Sequence, residues 1–189
     1  MLQQELLKYV VSVFDANGIL YMLTGSVVSS LQGEPRATHD IDIVIILEKE
    51  TAHLLPSVFP IPPFYLNKES ILEAADKSSM FNIIDQESGN KIDFWLLTKE
   101  PFDLSRFSRR IPINLFDLQV FISTPEDTIL SKLKWSKLSG GSVKQMTDAL
   151  RVFELQYPIL DMNYLKDWVE VLQLQAEWHQ LISQAEPLF

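Results

Sequence analysis

The stretch of sequence that decides the fold consists of two segments, LYMLTGS at residues 20–26 and RATHDIDIVIIL at residues 36–47. The first segment predicts a short strand that ends in a tight Gly25-Ser26 turn, and this turn opens a helix. The second segment predicts a strand that begins with Asp40 and Asp42. Because side chains along a strand alternate between its two faces, both aspartates should project from one face, while isoleucines fill the other.

Two neighbouring carboxylates repel each other unless something compensates their charge. At a separation of about 4 Å and an effective dielectric constant of roughly 20, the interaction amounts to ~4 kcal/mol. A protein keeps such a pair at low cost if a cation lies between the carboxylates or if one of them is protonated. We therefore interpret Asp40 and Asp42 as metal ligands first, and as turn or edge-strand acids second.

The composition of the whole chain excludes several classes of protein. The chain has 189 residues, of which 47% are hydrophobic and 22% are charged, as is typical of a soluble globular protein. The net charge of −9 argues against broad, nonspecific binding of nucleic acid, although it leaves room for a local basic patch. The absence of cysteine excludes disulfides, thiolate metal sites and a cysteine nucleophile. We expect a cytoplasmic protein without a membrane span, because no targeting signal and no long apolar run is found.

The character of the sequence changes near residue 123. Before this point, strands and helices alternate, with one helix expected from Glu48 to Phe59 and ended by the prolines at 60, 62 and 63. A predicted β-hairpin joins residues 80–85 to residues 91–98, and one or two further strands are expected between residues 107 and 122. From Thr124 onward only helices are predicted, and the first begins at Pro125. We therefore predict an α/β lobe at residues 1–123 and a helical lobe at residues 124–189.

A third carboxylate, Asp93, lies near the start of another predicted strand, KIDFW at residues 91–95. A Gly-Ser turn at the start of a helix offers backbone N–H groups, a hydroxyl and the positive end of the helix dipole, all suited to a phosphate. Three carboxylates beside such a turn can hold two Mg²⁺ ions about 3.5–4 Å apart, which is the arrangement used for in-line displacement at phosphorus.

With these motifs, the sequence resembles the nucleotidyltransferase superfamily, whose core is shared with the β-type DNA polymerases and many antibiotic nucleotidyltransferases. The family pattern is Gly-Ser or Gly-Gly, a spacer, Asp-x-Asp and a later Asp on a separate strand. It is matched by Gly25-Ser26, residues 27–39, Asp40-Ile41-Asp42 and Asp93. The helical part, with PEDTILSKL at residues 125–133, looks like the bacterial branch that includes the toxin-type nucleotidyltransferases of toxin–antitoxin and abortive-infection systems.

The resemblance implies an α/β nucleotidyltransferase fold, in which a mixed sheet is flanked by helices and followed by a C-terminal helical lobe. It implies that Asp40 and Asp42 coordinate two Mg²⁺ ions, and that Asp93 completes the metal shell and helps to deprotonate the acceptor hydroxyl. It also implies that Gly25 and Ser26 hold the β and γ phosphates of a nucleoside triphosphate such as ATP. The expected reaction transfers a nucleotidyl group to a hydroxyl and releases pyrophosphate.

Several alternatives stay open at the level of sequence. Lys132 is a candidate for nucleotide binding, and a solvated helix lysine is the competing interpretation. The acceptor could be a tRNA, a protein or a small molecule, and a toxin–antitoxin role would add an antitoxin or another protein as partner. The rival functions are a metal-dependent glycosyltransferase and a noncatalytic binding protein.

Overall fold

The computed structural model describes residues 2–38, 40–59 and 63–186. The strands are β1 (Tyr21–Thr24), β2 (Asp40–Ile45), β3 (Phe64–Leu66), β4 (Met80–Asp85), β5 (Lys91–Leu96), β6 (Ile111–Leu115) and β7 (Leu118–Ile122). The α-helices are α1 (Gln3–Asn17), α2 (Gly25–Gln32), α3 (Lys49–Ala52), α4 (Leu55–Val58), α5 (Lys68–Lys77), α6 (Pro101–Ser108), α7 (Pro125–Leu138), α8 (Val143–Gln156), α9 (Met162–Val171) and α10 (Gln175–Gln184). Within the described ranges, no helix is long and apolar enough to cross a membrane.

The first of two compact units is an α/β unit formed by the described parts of Met1–Thr24 and Thr38–Ile122. Its strands form one mixed sheet in the order β3-β4-β5-β2-β1-β7-β6. Strand β2 pairs with β1 in antiparallel and with β5 in parallel orientation, so that the strand carrying Asp40 and Asp42 lies inside the sheet. Strands β4 and β5 form the antiparallel hairpin that the sequence predicted. The predicted mixed sheet with flanking helices is thus confirmed.

A large part of the core of this unit lies on the sheet face opposite to the aspartates. Ile41, Ile43 and Ile45 of β2 are at most 2% exposed, as their alternation with Asp40 and Asp42 predicted. Helix α1 contributes its apolar stripe to the core, with the fully buried residues Leu6, Val10, Val11 and Phe14. Burying side chains of this size contributes about 1.5–3 kcal/mol each, so this face anchors the sheet that presents the polar face.

Two local predictions are wrong. The single helix expected at residues 48–59 is interrupted, because Pro56 in the first turn of α4 lacks the N–H that a continuing helix needs. The prolines at 60 and 62, which were expected to end this helix, lie outside the described residues. Phe107, expected in a strand, lies in α6, which begins with Pro101 at a favoured first position.

The second compact unit is helical and comprises Gly25–Ala37 and the described part of Ser123–Phe189. Helix α7 begins as predicted, with Thr124 as N-cap accepting a hydrogen bond from the backbone N–H of Asp127. Residues 25–37, which include α2, belong to this unit, whereas the sequence assigned them to the first lobe. The compact units and the predicted lobes therefore differ in this segment.

A charged network is buried within the helical unit. Arg36 donates two hydrogen bonds to the carboxylate of Asp148, from Nε at 2.9 Å and from Nη2 at 2.8 Å. Lys132 donates to Oδ2 of the same carboxylate at 2.7 Å, and the residues Lys132 and Asp148 are only 4% and 8% exposed. Burial acts to raise the pKa of Asp148, but the hydrogen bonds and charges of Arg36 and Lys132 outweigh this effect and lower its pKa.

We expect Asp148→Asn to destabilise the protein by about 3 kcal/mol at pH 7, because the substitution leaves two cations without their counter-ion. The measurement is urea-induced unfolding, and Asp76→Asn is the control, since Asp76 forms an exposed ion pair with Lys49. A lowered carboxyl pKa stabilises the fold above the ordinary pKa of about 3.9, and this contribution is lost as the pH falls through the lowered value. The difference between parent and variant should therefore shrink below about pH 4. Equal stability of the two proteins at pH 7 would contradict the assigned role of Asp148.

Candidate active site

Four polar residues lie in a row across neighbouring strands of the sheet. In the strand register, Thr24 of β1 is opposite Asp42 of β2, Asp42 is opposite Asp93 of β5, and Asp93 is opposite Asn82 of β4. Residues that are directly opposite each other in a sheet project from the same face, and neighbouring strands are about 5 Å apart. The fold thus brings Asp93 next to Asp42, as the sequence analysis required.

The adjacent position on the same face holds a lysine between two of the predicted carboxylates. Lys91 of β5 is the register partner of Asp40 of β2. Its Nζ lies 2.9 Å from Oδ2 of Asp93 and 3.7 Å from Oδ1 of Asp40. The hydrogen bond to Asp93, together with the negative charges of Asp93, Asp40 and Asp42, raises the pKa of Lys91 against the opposing effect of its partial burial. The ammonium group is therefore charged at neutral pH.

Asp42 is oriented by the tryptophan that follows Asp93 on the same strand face. The indole Nε1 of Trp95 donates a hydrogen bond to Oδ1 of Asp42 at 3.2 Å. The ring of Trp95 packs against an apolar cluster of Met22, Val44 and Phe107. Since this cluster fixes the indole, the hydrogen bond also fixes the direction in which the Asp42 carboxylate points.

Asp93 is the most buried of the three predicted carboxylates. Its side chain is 11% exposed, compared with 57% for that of Asp40. Its Oδ1 atom is buried and has no hydrogen-bond partner among the described residues. A buried polar atom without a partner is costly, by about 1–3 kcal/mol or more when it is charged. A cation bound at this oxygen would remove that cost.

The donor chemistry of this face fits a hard divalent cation. Asp42 and Asp93 are neighbouring carboxylates, and carboxylate oxygens are the ligands that Mg²⁺ prefers. In the part of the chain that the structure describes, however, no group of three or more Asp, Glu, His or Cys side chains is arranged to hold a metal ion. Instead of a three-carboxylate centre, the described residues place Lys91 between Asp40 and Asp93.

The other predicted site residues lie in the helical unit. Gly25 is the first residue of α2 and has φ = +68°, a backbone conformation that favours glycine. The hydroxyl of Ser26 accepts a hydrogen bond from Nη2 of Arg36 at 2.8 Å. Lys132 is not the solvated lysine of the alternative interpretation, since it is buried and paired with Asp148. The roles of Gly25, Ser26 and Lys132 in nucleotide binding remain predictions.

Sequence reasoning assigned no role to Lys91, Arg36 or Asp148. For Lys91 a signal was present, because it shares the strand face of Asp93 by the period-two rule. For Arg36 and Asp148 no local signal exists, since they are far apart in the sequence and only the helical packing brings them together.

No family model and no curated protein matches the sequence. The structure is similar to an antigenic nucleotidyltransferase-like protein from Paracoccidioides brasiliensis, with a TM-score of 0.53, 14% identity, and 97% of this chain and 93% of that chain covered.

The structure is also similar to the antibiotic-resistance factor ANT(2″)-Ia. The solution structure of that protein gives a TM-score of 0.57 at 11% identity, covering 96% of this chain and 95% of that chain. Its crystal structure in complex with adenylyl-2″-tobramycin gives a TM-score of 0.58 at 12% identity, covering 94% of this chain and 98% of that chain. These similarities extend over nearly the whole of each protein and confirm the predicted fold class: the chain has the nucleotidyltransferase fold.

Proposed function

We propose that this protein is a Mg²⁺-dependent nucleotidyltransferase, which moves a nucleotidyl group from a nucleoside triphosphate to a hydroxyl. The observation that carries the proposal is the direct pairing of Asp42 with Asp93 on one face of a nucleotidyltransferase-type sheet. The structurally similar ANT(2″)-Ia, which was solved with adenylyl-2″-tobramycin, supports an adenylyl group as one candidate for the transferred group.

In the proposed reaction, the acceptor oxygen bonds to the α-phosphorus, and the bond from this phosphorus to the pyrophosphate oxygen breaks. The acceptor hydroxyl gives up its proton, and we assign its removal to Asp93, as the family resemblance implies. Bound Mg²⁺ supplies neutralisation of phosphate charge and orientation of the reacting groups. Asp42 and Asp93 would hold it, and the resemblance implies two ions with Asp40 as a further ligand.

The phosphates of the donor are assigned to Gly25 and Ser26. The left-handed backbone at Gly25 and the start of α2 provide N–H groups, and the guanidinium of Arg36 lies next to the Ser26 hydroxyl. Besides Arg36, we assign Lys132 as a cation for the phosphates. Its ammonium group is held by Asp148, so that its position is fixed before any nucleotide binds.

The acceptor class is left for an experiment to identify. The protein is incubated with each radiolabelled nucleoside triphosphate, Mg²⁺ and a cell extract, and the labelled product is then separated and identified. Labelling of tRNA or of a protein would support a role in a toxin–antitoxin system, with an antitoxin as partner. Labelling of a small molecule alone would contradict that role and support a modifying enzyme of the antibiotic-resistance kind.

We expect Asp42→Asn to abolish Mg²⁺-dependent release of pyrophosphate, because the neutral amide oxygen lacks the negative charge with which a carboxylate holds Mg²⁺. The fold should be retained, since the amide oxygen can still accept the hydrogen bond from Trp95. Pyrophosphate release is measured in the presence of the acceptor that the labelling experiment identifies. The circular dichroism spectrum reports whether the variant is folded. The control Asp76→Asn, in an exposed ion pair on α5, should stay fully active. A variant Asp42→Asn as active as its parent would show that the assignment of this carboxylate is wrong.

The rival functions are separated by a binding experiment. Calorimetry with Mg²⁺ and a nonhydrolysable triphosphate should show binding to the parent protein and at least about tenfold weaker binding to Asp42→Asn. Binding of neither Mg²⁺ nor the triphosphate by the parent would instead favour the noncatalytic binding protein. Consumption of labelled sugar nucleotides, without consumption of triphosphates, would favour the glycosyltransferase.

A further inference from the structure

Lys91 is a charged residue on the carboxylate face to which the proposed reaction gives no task. It extends from β5 two residues before Asp93 and lies on the same strand face. Its ammonium group lies 2.9 Å from an oxygen of Asp93, which is hydrogen-bond distance, and 3.7 Å from an oxygen of Asp40, which is a longer ion pair. Its side chain is 33% exposed, so the charge is held against the sheet and is not extended into solvent.

Lys91 lowers the net negative charge of the carboxylate face. The three carboxylates Asp40, Asp42 and Asp93 carry three negative charges when ionised, and Lys91 returns one positive charge. The remaining two negative charges are balanced by one divalent ion. Two divalent ions would leave the face with a net charge of +2 when Lys91 is present and +1 when its charge is removed, so the lysine makes a second ion less favourable. Charges this close interact by several kcal/mol even at an effective dielectric constant of roughly 20, so a lysine at this position strongly weakens the attraction of the face for a further cation.

The two carboxylate oxygens of Asp93 have different surroundings. Oδ2 of Asp93 accepts from Lys91, while Oδ1 of the same carboxylate is buried and has no hydrogen-bond partner in the described part of the chain. Asp93 therefore faces the ammonium group with one oxygen and offers the other to a second cation. Asp42, its register partner, is the nearest further carboxylate on this face.

We propose that Lys91 is a built-in cation that permanently occupies one of the two cation positions of the carboxylate face, so that the protein binds one divalent ion there. This inference rests on the proposed function, because it takes the three carboxylates to be the cation ligands. It departs from the two ions that the family resemblance implies. In this proposal, the positive charge of Lys91 sets the number of divalent ions that the carboxylate face binds.

The experiment counts bound ions with Mn²⁺ alone, by titrating each protein while the electron paramagnetic resonance signal of free Mn²⁺ is recorded. The parent should bind one Mn²⁺ per chain. Lys91→Met, whose unbranched side chain lacks the ammonium group and its charge, should bind two. Lys91→Arg restores a positive charge and should bind one. The matched control Lys77→Met removes the same charge from an exposed position on α5 and should also bind one.

The outcomes separate this inference from the proposed function. Two Mn²⁺ ions bound by the parent, or one bound by both the parent and Lys91→Met, would overturn the role of Lys91 and leave the nucleotidyltransferase proposal standing. Absence of binding to the parent, Lys91→Met and Lys91→Arg alike would overturn both. Circular dichroism spectra of the variants establish that the counted proteins are folded.

Discussion

The parallel pairing of β2 with β5 is the contact on which the candidate site depends. This pairing sets Asp42 directly beside Asp93 and Asp40 directly beside Lys91. A slip of one residue would turn every side chain of one strand to the opposite face, and the carboxylates would no longer share a surface. The register is held because the other face carries isoleucines and phenylalanines that are almost completely buried. The apolar core of the sheet therefore determines the geometry of its polar face.

Repulsion between the carboxylates is compensated by side chains of the same unit. Lys91 binds the oxygens of Asp93 and Asp40, and Trp95 binds Asp42. Both residues belong to β5, and both alternate with buried residues of the core. One strand thus supplies a carboxylate, the cation that faces it and the hydrogen-bond donor that orients its neighbour. The proposed ion count follows from this arrangement.

The helical unit also contains a carboxylate whose negative charge is compensated by neighbouring cations. There the buried carboxylate is Asp148, and it is compensated by two cations from separate segments, Arg36 and Lys132. A buried charge that loses its partners is strongly destabilising, so this network ties the segment after α2 to α7 and α8. The same network holds the hydroxyl of Ser26 through a hydrogen bond from Arg36.

Period-two alternation could be recognised in the sequence at both aspartate strands, because it depends only on neighbouring residues. It correctly predicted the buried face of Ile41, Ile43 and Ile45, and the Gly-Ser turn correctly predicted the start of α2. The start of α7 was predictable for the same reason, since an N-cap involves only the first turn of a helix. The two wrong local predictions arose where prolines ended or began helices, at Pro56 and Pro101.

The sequence by itself determined which strands carry carboxylates, which of their faces is apolar, and the resemblance from which the nucleotidyltransferase fold followed. Only the tertiary structure decided that Asp93 lies next to Asp42, that Lys91 stands between Asp93 and Asp40, and that Lys132 is paired with Asp148. The reason is physical: strand pairing and helix packing join residues that are distant along the chain. Their contacts depend on the register and burial of the whole unit, which no local pattern contains.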